Sequence, residues 1–322
     1  MNDSPLKGKA AEAFVEDYLG WPLEVLRPFP KFLTIEPINR CNAECIMCGI
    51  DFAAKAKATL SAPLFGRMVE EIGRYAATVE KVIIALDGEP LLDRKLASKV
   101  RALKEAGVRR VNVTTNASLL TATRGEELIE AGMDEIYITI DSLKKPVYEA
   151  IRRGLDFETV LGHTRGFIAL RDARKAAVTI RVLMVQQELN RDEPDQFRAY
   201  WGALLGERDQ VAVQKAHNWA RAVQVMPVGD EASINAIPCI SLWSTLGIHA
   251  DGRVGLCCMD TLWRYPLGDL NQQSIAEIWA SPAMEAARRL HLDGRRAEIP
   301  MCDGCTVWRR GKRQLTEIRE KS

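Results

Sequence analysis

The stretch FLTIEPINRCNAECIMC runs from Phe32 to Cys48. Its first four residues are apolar or β-branched and read as a buried strand. Cys41, Cys45 and Cys48 then follow at the spacing C-x3-C-x2-C. Three thiolates so placed suit a cubic iron–sulfur cluster, which normally takes four cysteines, so one iron is left without a protein ligand. An open coordination position lets a metal bind and activate a substrate, as a catalytic zinc does. Read as residues alone, the trio is also compatible with zinc or with unrelated core thiols. Its place in a loop at a strand's C-terminal end is where barrel-type α/β folds gather their chemistry.

Outward from this stretch, strand-like and helix-like segments alternate. Strands are expected at Phe32–Ile35, Lys81–Leu86, Arg110–Thr114, Glu135–Ile140, Val178–Val185 and Val211–Val213, rich in Val, Ile and Thr as buried parallel strands are. Leu64, Met68, Val69 and Ile72 share one helical face, as do Leu96, Val100 and Leu103. Gly107 and Gly132 stand where helices would end. Six β/α repeats predict an α/β fold, a partial (β/α)6 TIM-like barrel. Right-handed crossovers put every strand's C-terminal end on the rim that carries the cysteines. A polar lead-in occupies residues 1–30, the barrel 31–225, and a small cysteine-rich unit 226–322, entered through the turn-rich run MPVGDEASINAIP.

The chain has 322 residues, 47% hydrophobic and 27% charged, with a net charge of +1, so nothing in its charge recommends nucleic acid or an anionic membrane as partner. It shows no signal-peptide core and no apolar run long enough to span a bilayer, and the expected location is cytoplasmic. Eight cysteines in a reducing compartment favour metal or cluster ligation over disulfides.

From about Phe32 onward the chain resembles the radical S-adenosylmethionine (SAM) superfamily, whose signature is this cysteine spacing. The resemblance implies a 4Fe–4S cluster on Cys41, Cys45 and Cys48 whose open iron chelates S-adenosylmethionine, giving a 5′-deoxyadenosyl radical on reduction. Gly88-Glu89-Pro90 looks like the family's G-E-P motif, whose backbone meets the cofactor's amino group. Asn116 ends the third strand, as in the family's T-N pair. Thr139 and Asp141 stand where relatives carry Ser-x-Asp, with Thr keeping the hydroxyl. Arg153 is positioned to pair with the methionyl carboxylate, and Met47 replaces a common aromatic at a backbone contact to adenine.

Cys239, Cys257, Cys302 and Cys305 form a second set. Asp251-Gly252 reads as the turn of a hairpin that brings two of them toward the C-x-x-C knuckle. Four thiolates suit zinc or a 4Fe–4S cluster equally by geometry. Here Gly252–Cys257, Leu267–Leu270 and a helix at Ile275–Trp279 resemble the auxiliary-cluster domain called SPASM, in its shortened twitch form, which implies an auxiliary 4Fe–4S cluster. Among enzymes that pair a radical core with a twitch domain, the aminocyclitol dehydrogenase of butirosin biosynthesis is nearest in kind.

The function expected on these grounds is an oxidoreductase that dehydrogenates an alcohol of a sugar or aminocyclitol, the auxiliary cluster taking the second electron. His217 is the candidate base. The alternatives are an epimerase with Cys258, left over from the cluster count, as hydrogen donor; an enzyme modifying ribosomal peptides; and, least favoured, a non-catalytic metal-binding protein. A small-molecule substrate is preferred to a peptide, and reduced flavodoxin or ferredoxin is the expected electron donor. Trp219, Trp243 and Trp263 are candidate walls of the substrate site. The basic run Val307–Arg313 is a candidate docking patch for an acidic partner.

Overall fold

The computed structural model describes residues 5–51, 53–220, 222–223 and 234–307. The expected domain junction falls largely on residues outside that set, as does most of the basic run at 307–313.

The six expected strands form, with ends displaced by a residue or two: β1 (Phe32–Ile35), β2 (Lys81–Ile84), β3 (Val111–Thr115), β4 (Glu135–Thr139), β5 (Thr179–Gln186) and β6 (Gln210–Lys215). Neighbours pair in parallel in chain order from β1 to β6. Apolar side chains fill the sheet's inner face and the helices behind it. Leu33, Val82, Val111, Val113, Ile136, Ile180 and Val182 are wholly buried. The helix Ala62–Arg74 buries Leu64, Phe65, Met68 and Ile72, and Leu96–Glu105 buries Leu96, Val100 and Leu103, on the faces their spacing indicates. Ser61 caps the first of these, accepting a hydrogen bond from the Leu64 amide.

The C-terminal unit is joined to the barrel more closely than its sequence suggests. The hairpin forms as β7 (Thr245–Ile248) and β8 (Arg253–Gly255), antiparallel, followed by β9 (Pro266–Asp269). Its turn places Gly252 at φ +95°, a conformation that favours glycine. But β7 also pairs in parallel with β1 over four residues, Phe32 opposite Thr245 through Ile35 opposite Ile248. One nine-stranded sheet, in the order β9-β8-β7-β1-β2-β3-β4-β5-β6, therefore runs through both halves. The strand that feeds the cysteine loop lies inside this sheet, not at its edge.

Candidate active site

The loop after β1 carries Cys41, Cys45 and Cys48, and its two ends are fastened together. Asn39 bonds Ala56 and Ala58 through its side chain and backbone, and the Leu60 amide donates to the Pro37 carbonyl. Inside the loop, a short antiparallel ladder pairs Glu44 with Arg153 and Cys45 with Arg152. Burial, with the neighbouring Cys45 thiol adding to it, pushes Cys41 up to about 11 and Cys48 to about 12. Packed thiols with such costly ionisation call for a compensating cation or metal.

Gly88-Glu89-Pro90 braces that loop from the end of β2. A side chain at Gly88 would overlap the carbonyl oxygens of Ile38 and Arg40, so the close approach requires glycine. The Glu89 amide donates to the Arg40 carbonyl at 2.8 Å. Its carboxylate is buried and accepts from the Thr115 hydroxyl at 2.6 Å, the Asn116 amide at 2.8 Å and the Leu91 amide at 3.0 Å. Burial still holds its carboxyl above the usual range. Asn116 donates from its side chain to Asn42 within the cysteine loop at 3.0 Å, and Asn42 donates to Ser118 at 2.8 Å. The ends of β1, β2 and β3 are thus knitted around the cysteines.

A cavity of about 300 Å³ opens on this rim. Its wall is formed by Cys41, Cys45, Cys48 and Met47, by Gly88, Glu89, Asn116 and Thr139, and by Leu183, Val185, Gln214, His217 and Met259. Arg152 lies on the wall, donating to Asp141 at 2.6 Å and to the Cys45 sulfur at 3.4 Å. A guanidinium against a candidate thiolate ligand is the environment an anionic cluster needs.

Several expected residues are placed differently. Arg153 points to solvent, because neighbours on a strand face opposite ways, and Arg152 is the arginine that reaches the cavity. Asp141 is fully buried behind it, accepting also from the Val185 amide at 2.7 Å, and is absent from the cavity wall. His217 does line the cavity, with Nδ1 accepting from the Trp219 amide at 3.2 Å. Trp219 lines it too, packed on Gly49. Trp243 is instead a core residue and Trp263 stacks under Arg253, neither reaching the cavity. Cys258 is not on the wall, which its neighbour Met259 reaches.

Cys239, Cys258, Cys302 and Cys305 all lie near enough to Cys257 to act on its thiol. Burial pushes Cys257 up strongly, with further increments from Cys258 and the other three. Two residues that no spacing signalled support them. His291 accepts the Cys239 amide on Nδ1 at 3.0 Å, and buried Arg296 donates to the carbonyls of Cys302 at 3.0 Å and Ile237 at 3.2 Å. His291 lies 52 residues from Cys239, and Arg296, though only six from Cys302, joins it to Ile237, 59 residues away.

The model of the radical SAM superfamily matches residues 35–197, half of the chain. The chain belongs to the radical SAM superfamily. A second model, an iron–sulfur cluster-binding domain of the SPASM type, matches residues 239–306. A radical SAM enzyme with both domains carries a 4Fe–4S cluster that binds S-adenosylmethionine and an auxiliary iron–sulfur cluster. The chain is 33% identical over 242 residues to a GTP 3′,8-cyclase of Limosilactobacillus fermentum, covering 73% of this chain and 64% of that protein. A probable GTP 3′,8-cyclase of Methanocella arvoryzae is 31% identical over 169 residues, 52% of each chain. The chain thus spans between about half and two thirds of these curated relatives. The radical SAM fold is also that of BtrN solved with AdoMet and 2-DOIA, with a TM-score of 0.61 at 18% identity over 86% of this chain and 93% of that one. It is likewise that of Streptococcus suis SuiB bound to its precursor peptide SuiA, with a TM-score of 0.64 at 14% identity over 81% and 67%.

These relatives correct the expected function. These curated relatives are cyclases by name, so the reading as a sugar or aminocyclitol dehydrogenase does not stand. Likeness to BtrN, at 18% identity, is likeness of fold. Among the described residues no helix is long and apolar enough to cross a membrane.

Proposed function

We propose that this radical SAM enzyme cleaves S-adenosylmethionine at a cluster held by Cys41, Cys45 and Cys48 and abstracts a hydrogen atom from a small molecule seated in the rim cavity. The single observation that carries this reading is the cavity itself, whose wall holds the three cysteines together with Gln214, His217 and Met259. A volume of about 300 Å³ lies in the range of small-molecule sites. The bound cluster would supply the electron that splits the cofactor's sulfonium. The chain's own part is placement. Gly88 lets the β2 turn lie against the cysteine loop, Glu89 and Asn116 fix that turn, Thr139 presents a hydroxyl, and Arg152 offsets negative charge beside Cys45. Cys239, Cys257, Cys302 and Cys305 would hold the auxiliary cluster, with Met259 bringing that unit to the cavity wall. Reduced flavodoxin or ferredoxin would be the electron donor, and a reducing cytoplasm suits eight cysteines that form no disulfide.

Cyclisation of GTP is a second reading, favoured by the names of the curated relatives. A triphosphate calls for several cationic donors. Among the described residues of the cavity wall Arg152 alone is cationic, and it is paired with Asp141.

Anaerobically reconstituted protein with dithionite and S-adenosylmethionine provides the test. Formation of 5′-deoxyadenosine that is lost in Cys45→Ala is the expected outcome, and its absence from the wild type would sink the proposal. GTP added to the same assay decides the second reading: consumption of GTP coupled to 5′-deoxyadenosine establishes it, and unchanged GTP eliminates it.

A further inference from the structure

Beneath the cysteine loop lies a buried polar group that the cavity does not include. We propose that Lys55 is an internal cation held in a three-ligand site of Glu36, Asp87 and His249, forming a latch that positions the cysteine loop for cofactor binding. The role assigned to Lys55 rests on the reading that this loop holds the cofactor's cluster; the latch itself does not.

The three ligands come from the ends of adjacent strands. Glu36 follows β1, Asp87 lies just beyond β2 and His249 follows β7, and β7, β1 and β2 are neighbours in register. Their ligand atoms lie within 4.8 Å of one another. Such a trio would suit a divalent metal, but the chain fills it from within. The Lys55 ammonium sits 2.5 Å from Asp87 Oδ2, 3.2 Å from His249 Nδ1 and 3.7 Å from Glu36 Oε1. It also lies 4.9 Å from the centre of the Trp263 ring. All four side chains are at most 1% exposed.

Two features show that the ammonium is needed there. Glu36 Oε1 and Asp87 Oδ1 accept no hydrogen bond from any described residue, so electrostatic attraction to Lys55 is what compensates their burial. Burial and the neighbouring Glu36 also hold the Asp87 carboxyl above its usual range, against the pull of Lys55 and His249. Removing the ammonium would leave two buried carboxylates facing each other.

The latch is joined to the site through short covalent paths. Lys55 precedes Ala56, whose carbonyl accepts from Asn39 at 2.7 Å in the clasp that closes the cysteine loop. Asp87 precedes Gly88, which touches the Ile38 and Arg40 carbonyls. His249 follows β7, whose hairpin partner β8 leads to Cys257. One ammonium therefore ties the loop of the first cysteine set, the turn that braces it, and the auxiliary unit.

The test compares wild type, Lys55→Met and the double variant Lys55→Met/Asp87→Asn, each reconstituted with iron and sulfide. S-adenosylmethionine affinity is measured by equilibrium dialysis, and hydrogen exchange by mass spectrometry follows the segment containing the Ala58 and Leu60 amides. Lys55→Met is expected to weaken cofactor binding about tenfold and to lose amide protection in that segment. The double variant, which removes the uncompensated charge, is expected to recover most of both. Wild-type affinity and protection in Lys55→Met would overturn the latch, as would a double variant no better than the single. Should Lys55→Met fail to fold, Lys55→Gln carries the same comparison. If the wild type itself binds no cofactor, the active-site reading fails, while the exchange arm still judges the latch.

Discussion

Arg152 and Arg153 show how much one position matters. Arg152 is buried and paired with Asp141, whereas Arg153 faces solvent on the opposite side of the same ladder. Arg152→Met would strand an ionised Asp141 in the interior, a loss of about 3–5 kcal/mol, whereas Arg153→Met should stay within about 0.5 kcal/mol of wild type. Thermal melting of the two variants measures the difference. The Arg152 variant alone should also lose iron from the first cysteine set on gel filtration. The sequence marks an arginine here by family pattern, but only the strand's alternation tells which of two adjacent arginines turns inward. Lys55 was less legible still. In AKAKA it reads as a solvated loop residue, and the acids that capture it lie 19 residues before and 32 residues after it.

At the scale of elements, the six parallel strands were readable because strands covered on both faces become runs of Val and Ile. The ends shifted by a residue or two, where side-chain bonds extend or shorten a ladder. Asp209 is one such bond. It takes Arg171 through both oxygens at 2.8 and 2.7 Å and accepts the Ile180 amide at 2.8 Å and the Gly206 amide at 2.9 Å, pinning the starts of β5 and β6. Burial alone would raise its pKa, but these bonds outweigh it and hold the carboxyl below its usual value. A carboxyl depressed in the folded state binds protons more weakly there than in the unfolded chain. Its contribution to stability is complete above its unfolded pKa and is lost as pH falls through the folded one. Asp209→Asn should therefore melt several degrees below wild type at pH 7, with the gap closing as the solution is acidified through the carboxylate range. A gap independent of pH would show that packing, not charge, sets the loss.

For the whole molecule, two cysteine sets on one sheet imply separable iron counts. Reconstituted wild type should hold about eight irons, and the Cys41/Cys45/Cys48→Ala triple variant about four, with four irons in each cluster. About four irons falling to none, with zinc present, would instead make the C-terminal site a zinc centre. Both cysteine sets were visible in the sequence as spacings. The parallel pairing of β7 with β1 was not, since no local pattern records which distant strand a hairpin will join. The same blindness hid His291 and Arg296, whose partners are set by packing across the auxiliary unit.

That pairing bears on whether the C-terminal unit is an accessory. Cutting the chain before Thr245 would strip β1 of one of its two neighbours and turn the cysteine-bearing strand into a bare margin, with a row of unsatisfied amides and carbonyls beside Leu33 and Ile35. A barrel prepared alone would seek a substitute strand from another copy of itself, and self-association would consume it before its chemistry could be judged. In this enzyme the second cluster's housing doubles as the selvedge of the first.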